Sequence, residues 1–348
     1  MTLARLLGIG LAAVLGLTGC TGRAGGDAPR GTVTSVRVLV GGLAAPWGIA
    51  FLPDRDALVT ERDTARILRI SPAGRVTEVQ RLSEVDSSGE GGLLGIAVGP
   101  RYATDRWVYV YYTTGSDNRI ARLHLGGSPE PLVTGIPVSG IHNGGRLAFG
   151  PDGMLYAGTG DASERGRSQD LSSLGGKVLR MTPDGRPAPG NPFPGSLVWT
   201  FGHRNVQGLA WDGAGRLWAS EFGQNRFDEV NLIEPGRNYG WPTVEGRSGD
   251  TEFAQPLVTW STSEASPSGV AILGDALYVA ALRGERLWRV PLDGRGGVGT
   301  PQALLVGQYG RLRAAVVAPD RSLWVLTSNR DGRGSPVADD DRILRVVP

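Results

Sequence analysis

Gly145-Arg146-Leu147-Ala148-Phe149-Gly150-Pro151-Asp152-Gly153-Met154-Leu155-Tyr156-Ala157-Gly158 reads as two short strands around a tight turn. Arg146 to Phe149 and Leu155 to Thr159 are apolar and aromatic, and Pro151-Asp152-Gly153 between them has hairpin chemistry. Lys177-Val178-Leu179-Arg180-Met181 follows as a further strand, closed by Pro183-Asp184-Gly185. The same opening recurs at Trp47-Gly48-Ile49-Ala50-Phe51, Leu94-Gly95-Ile96-Ala97-Val98, Gln207-Gly208-Leu209-Ala210-Trp211, Ser268-Gly269-Val270-Ala271-Ile272 and Leu312-Arg313-Ala314-Ala315-Val316. Each is followed within about a dozen residues by a second strand, such as Leu217-Trp218-Ala219-Ser220 or Leu323-Trp324-Val325-Leu326. Six repeats spaced by roughly 45 to 60 residues predict an all-β, six-bladed β-propeller with four-stranded antiparallel blades. A single blade cannot bury both faces, whereas six arranged radially can, and closure leaves few exposed edges. Thr32 to Val40 is expected to complete the last blade beside Arg342 to Val347.

The 54 glycines and 23 prolines, without low complexity, fit a chain of many tight turns. After the first residues no window has a sustained helical apolar period. The chain opens with Met1-Thr2-Leu3-Ala4-Arg5, an apolar run over 6–17, and then Leu17-Thr18-Gly19-Cys20. The run is too short to span a membrane and fits a secretory leader. Its end resembles a bacterial lipobox, so Cys20 is the expected lipidation site. Residues 1–19 are read as a lipoprotein signal peptide, 20–31 as the lipidated cysteine with a flexible tether, and 32–348 as one propeller domain. The expected location is outside the cytoplasm, held to the membrane through the lipid alone. Cys20 is the sole cysteine, so no disulfide can form within the chain.

The net charge is +2, and 35 of the 36 basic residues are arginines, leaving Lys177 as the one lysine. There is no basic block or stripe with interleaved aromatics, so a nucleic-acid partner is not expected. Long insertions at 162–175, 186–197, 238–253 and 327–341 are candidates to wall a pocket.

Three histidines exist. His124 lies in an alternating segment and reads as a blade-surface residue. His142 and His203 each precede a repeat's first strand, so both are expected on the central face. A neutral imidazole is the usual general base near neutral pH, which makes His142 a candidate.

His142-Asn143-Gly144-Gly145-Arg146-Leu147-Ala148-Phe149-Gly150-Pro151-Asp152-Gly153, Gly202-His203-Arg204-Asn205-Val206-Gln207-Gly208-Leu209, and Asp228-Glu229-Val230-Asn231-Leu232-Ile233 followed by Asn238-Tyr239-Gly240-Trp241-Pro242 occur in that order. Over about residues 40 to 347 the chain resembles the soluble glucose/sorbosone dehydrogenase family dependent on pyrroloquinoline quinone (PQQ), including bacterial aldose sugar dehydrogenases. The family fold is a six-bladed propeller. The resemblance implies oxidation of an aldose at C1 to the aldonolactone, with His142 as the base and hydride passing to PQQ. A tricarboxylate needs several guanidinium groups, and its quinone oxygens need donors. The family's cofactor contacts match Arg204 and Asn205, Arg283, and the pair Arg311 and Arg313. Arg204 would also stabilise the reduced oxygen, and His203 would hold the loop that presents it. Two calcium roles are implied: one at the cofactor through the turn at Gly223 and Gln224, and one structural, through Glu229 and Tyr239, the latter by its carbonyl.

Three departures stand out. Glu90 replaces a cofactor-contacting Gln, and a carboxylate there is unfavourable unless protonated or calcium-bound. Phe222 and Gln224 replace a polar residue and Pro. Ile141 stands where glucose-oxidising members can carry Asp. Two other readings remain open: a calcium-dependent propeller hydrolase such as a lactonase, and a non-enzymatic propeller binding a glycan or protein. With no Cys-x-x-Cys-His haem site in the sequence, electrons are expected to leave to a separate acceptor.

Overall fold

The structure, a computed structural model, describes residues 32–348. Cys20 and the leader lie outside the described residues. Six four-stranded antiparallel sheets follow one another along the chain. Blade 1 holds β2 (Pro46–Phe51), β3 (Ala57–Glu61), β4 (Arg66–Ile70) and β5 (Val76–Arg81). Blade 2 holds β6 (Leu93–Val98), β7 (Val108–Thr113), β8 (Asn118–Leu123) and β9 (Glu130–Ile136). Blade 3 holds β10 (Arg146–Phe149), β11 (Leu155–Gly158), β12 (Lys177–Met181) and β13 (Val198–Phe201). Blade 4 holds β14 (Val206–Trp211), β15 (Leu217–Glu221), β16 (Phe227–Ile233) and β17 (Val258–Ser261). Blade 5 holds β18 (Pro267–Leu273), β19 (Ala276–Ala281), β20 (Arg286–Pro291) and β21 (Gln302–Leu304). Blade 6 holds β22 (Leu312–Val317), β23 (Leu323–Thr327) and β24 (Ile343–Val347), and its fourth strand is β1 (Ser35–Val40) from the other end of the chain.

The six sequence openings are the six innermost strands, and each touches the next around a closed ring. Their recurring glycine has a steric cause. A Cβ on Gly95 would stand 2.1 Å from the carbonyl oxygen of Gly145 in the neighbouring blade. The innermost strands approach too closely there for a side chain.

Six apolar clusters hold the ring, one in each interface between neighbouring blades. Between blades 2 and 3, for example, Tyr109, Tyr111 and Ile120 pack against Leu155, Leu179 and Met181. Between blades 4 and 5 the fully buried Trp218 and Trp288 belong to one cluster, with Trp260 stacked on Trp288 at 5.2 Å between centroids. With no disulfide available, these interfaces and the ring seam carry the stability. The seam is the antiparallel pairing of β1 with β24, from Ser35↔Val347 to Val40↔Ile343.

The loops that enter the innermost strands share one end of the ring with the loops joining the second and third strands. Segments 162–175 and 327–341 therefore sit at that end, and 238–253 climbs to it, with Asn238 bridged to Phe201 at the end of β13. Segment 186–197 does not. It leaves the far end of β12 and re-enters β13 there, so the expectation that it walls the central pocket fails on strand direction.

Deleting residues 32–40 would remove all five paired positions of the seam and bare the edge of β24. At about 1 kcal/mol for each lost ladder contact, unfolding free energy should fall by roughly 3 to 5 kcal/mol in chemical denaturation. Light scattering should detect self-association through the uncovered edge.

Candidate active site

The loops at the entry end enclose a cavity of about 570 Å³ on the ring axis, with lining residues from all six blades. Glu90, His142, Arg204, Gly223, Gln224, Arg283, Arg311 and Arg313 all line it. Six arginines face the cavity against three carboxylates, Glu90, Asp228 and Asp331.

His142 sits at φ +60°, a conformation costly for a residue with a Cβ. Its neighbours make room for it. A Cβ on Gly160 would lie 1.8 Å from the His142 carbonyl oxygen, so only glycine allows this close approach. His142 Nδ1 is 2.8 Å from Asp161 Oδ1, and Nε2 is 2.7 Å from Arg204 Nη2. A guanidinium can only donate, so Nε2 is the accepting nitrogen and Nδ1 carries the proton given to Asp161. The tautomer follows from the partners.

Asp161 is buried and anchored further by the Trp241 indole N–H at 2.9 Å and the Ser163 amide. Burial opposes its ionisation, but the hydrogen bonds from His142, Trp241 and Ser163 hold its carboxyl below the usual range. A His-Asp couple of this kind leaves a basic nitrogen directed into the cavity.

His203 has a different task. It is fully buried, donates from Nδ1 to Glu221 at 2.7 Å, contacts Thr200 through Nε2, and stacks on Tyr239. Glu221 also accepts the backbone N–H of Arg204. The His203–Glu221 pair thus fixes the backbone that projects Arg204. His124 lies exposed on Trp107 at a blade edge, far from the axis.

The guanidiniums are ordered by few anions. Asp331 Oδ2 accepts from Arg311 Nη2 at 2.9 Å and faces Arg313 Nη2 at 3.6 Å, so two buried cations share one carboxylate. Arg313 Nη1 donates to Gln207 at 2.8 Å. Burial pulls Arg313 down to about 10, against the attraction of Asp331 and helped by Arg62 and Arg311. Burial likewise lowers Arg204, against the carboxylates Asp161 and Glu221. Among the residues matched to cofactor contacts, Arg204 Nε, Asn205 Nδ2 and Arg313 Nε are buried donors without a hydrogen-bond partner. Asn205 is oriented by accepting the Gly144 N–H through its oxygen. Arg283 stands exposed at the rim.

Unpartnered buried donors beside a surplus of positive charge fit a polyanion with several acceptor oxygens. The residues therefore suit PQQ.

Glu90 has two partners within the protein. One of its oxygens pairs with Arg333 at 2.8 Å and the other accepts the His142 backbone N–H at 2.9 Å. Arg333, absent from the sequence argument, supplies the missing cation.

The two proposed calcium positions differ. At the turn, Glu245 Oε1 accepts the amide N–H groups of Gln224, Asn225, Arg226 and Phe227, and Phe222 gives its carbonyl to Arg204. The turn is built around a carboxylate. Beside it lies a small second cavity lined by Glu221, Glu229, Tyr239 and Glu245. Glu221 and Glu229 are directly opposed across β15 and β16. Burial beside Glu221 pushes the Glu229 carboxyl up to about 8. Opposed carboxylates favour a proton or a cation between them. The Tyr239 hydroxyl is already bonded to Leu232 and Glu234, which leaves its carbonyl as the available donor. Among the described residues no group of three or more His, Cys, Asp or Glu side chains is preassembled to hold a metal.

Sequence reasoning missed Asp161, Asp331, Gln207 and Arg333. A signal existed for Asp161. It lies just beyond β11, and the register pairs Arg146 with Gly158, which brings the end of β11 beside the loop carrying His142.

The glucose/sorbosone dehydrogenase family pattern matches residues 43–344. A structure titled as the PQQ-bound form of aldose sugar dehydrogenase from Streptomyces coelicolor is 56% identical, with a TM-score of 0.87, over 90% of this chain and 98% of that one. Aldose sugar dehydrogenase of Escherichia coli is 30% identical over 86% of this chain and 91% of its own length. Quinoprotein glucose dehydrogenase B of Acinetobacter calcoaceticus is 35% identical over 63% of this chain and 54% of its own length.

Asp161→Asn should disturb the imidazole rather than the fold. An amide at that position can donate to Nδ1 and drive the proton to Nε2, where it would face the Arg204 donor. Nitrogen-15 NMR should report loss of the Nδ1–H tautomer of His142, with His203 unchanged.

Proposed function

The chain belongs to the glucose/sorbosone dehydrogenase family, and from that premise we propose that it is a PQQ-dependent aldose dehydrogenase in which His142 is the general base. The oxidised carbon is C1 of the sugar and the product is the aldonolactone. When bound, PQQ supplies a two-electron quinone acceptor for the substrate hydride. Arg283, Arg311 and Arg313 would hold its carboxylates, with Asp331 fixing the last two. Arg204 Nε and Asn205 Nδ2, both donors without a partner, would serve its quinone oxygens.

His142 Nε2 takes the proton of the anomeric hydroxyl. It can do so once the Arg204 donor is withdrawn from it. Asp161 then faces an imidazolium and stabilises it through the Nδ1 hydrogen bond. The observation that carries this reading is one cavity lined by a carboxylate-oriented imidazole and by Arg204 and Arg313, each of which has a buried Nε without a partner.

Calcium is proposed in the second cavity, where Glu229 with Glu221 and the Tyr239 carbonyl would relieve the opposed charges. A cofactor-side calcium at Gly223 and Gln224 would use their carbonyls, because the amides of Gln224 and its successors are committed to Glu245. Electrons are proposed to pass to a separate acceptor. The Leu17-Thr18-Gly19-Cys20 segment supports export and lipid anchoring through Cys20.

The reading is tested by loading the purified protein with PQQ and calcium and following dye reduction with a panel of aldoses. His142→Ala should lower turnover by about 10² to 10⁴-fold. Lactone hydrolysis without PQQ, or glycan binding without turnover, would replace the reading. Arg313→Ala should raise the PQQ concentration for half-activity by roughly tenfold or more, while turnover at saturating PQQ changes far less. Chelation should lower the thermal midpoint of the wild-type protein, and Glu229→Gln should abolish that response.

A further inference from the structure

Below the pocket the axial channel continues toward the other face, and Arg146 lies across it. This side chain starts on β10 in blade 3. Its Nε donates to the Gln207 carbonyl of blade 4 at 2.7 Å. Its guanidinium carbon lies 4.3 Å from the centre of the Trp47 ring of blade 1. Its Nη2 lies 3.1 Å from the point a Cβ on Gly269 of blade 5 would occupy. One guanidinium thus bridges the axis. Trp47 and Gln207 face the upper pocket, whereas Arg146 and Gly269 line a second axial cavity of about 300 Å³ whose other walls are apolar side chains of the innermost strands.

The charge on Arg146 has no counterpart. Residue exposure is only 8%, and Nη2 is buried without a hydrogen-bond partner. Among the described residues no carboxylate pairs with it. The charge that acts on it is another cation, Arg313, whose own carboxylate is shared with Arg311. Burial, with Arg313 adding to it, lowers Arg146 to about 9, which still leaves it cationic at neutral pH. Breaking or omitting the partner of a buried ion costs several kcal/mol. Water can fill the hydrogen bond at Nη2 but leaves the charge uncompensated.

The innermost strands pair on one side only, so their free-edge amides face this channel. We propose that the lower axial cavity binds a small, weakly hydrated monovalent anion of the halide class, held by the Arg146 guanidinium and free-edge amides. The apolar walls disfavour a multivalent, strongly hydrated anion such as sulfate or phosphate. This site is separate from the upper pocket and does not rest on the redox reading.

Cofactor-free crystals grown in sodium bromide, measured at the bromine absorption edge, test it. The expected result is an anomalous peak within about 3.5 Å of an Arg146 terminal nitrogen, in the lower cavity. No bromine signal there, or bromide confined to the upper-pocket guanidiniums, overturns the proposal. A solution test exchanges sodium glutamate for sodium bromide at constant concentration and compares thermal midpoints of wild type, Arg146→Met and Arg146→Lys. The general salt effect is common to all three. Bromide should favour wild type over Arg146→Met by roughly 2 °C or more, with Arg146→Lys recovering part of the difference. Equal responses of wild type and Arg146→Met contradict the proposal. Should Arg146→Met fail to fold, the wild-type anomalous map decides.

Discussion

Positive charge confined near the ring axis is the constraint on which the rest of this structure depends. Six arginines from five loops and strands face one pocket, and the carboxylates available to them are half as many. Arg311 and Arg313 share Asp331, and Arg146 has no anion. Such an arrangement is unfavourable for an isolated chain. It persists because six apolar interfaces and the β1–β24 seam close the ring, and closure forces the innermost strands together whatever they carry. Stability made elsewhere in the ring is used to hold donors ready for a polyanion.

Within that field the imidazole is oriented at both nitrogens. Asp161 accepts a hydrogen bond from Nδ1–H, and Arg204 donates to Nε2. The same arginine is fixed through Glu221, which is fixed by His203. His142 and Arg204 are therefore adjacent parts of one hydrogen-bonded chain running from blade 3 to blade 4. Glu90 joins it from blade 2 by accepting the backbone N–H of His142, and Arg333 from blade 6 cancels its charge. The departure at Glu90 is thus met by a second residue, Arg333.

The blades were legible in the sequence because their cause is local. Crowding at the axis favours a small residue at the same point of five innermost strands, marked by Gly48, Gly95, Gly208 and Gly269 with Ala314, while blade 3 carries Arg146 there. The grouping of His142 with Arg204, Arg311 and Arg313 was legible once entry loops were placed on one face. The partners that tune them were not. Asp331 and Arg333 lie in the 327–341 insertion, whose path no spacing rule fixes, and their pairing depends on which blades adjoin; Asp161 stands just beyond β11, before the 162–175 insertion begins. The misplaced segment 186–197 has an equally physical reason. Alternate strand connections leave from opposite ends of a blade, so an insertion's length says nothing of its face.

The central claim is that this cavity is built for one planar polyanion. Calorimetric titration of the cofactor-free protein with PQQ tests it most directly. The account predicts saturable binding of one PQQ per chain that weakens as salt is raised, because guanidinium–carboxylate attraction dominates. Absence of saturable binding, or binding indifferent to ionic strength, would contradict it.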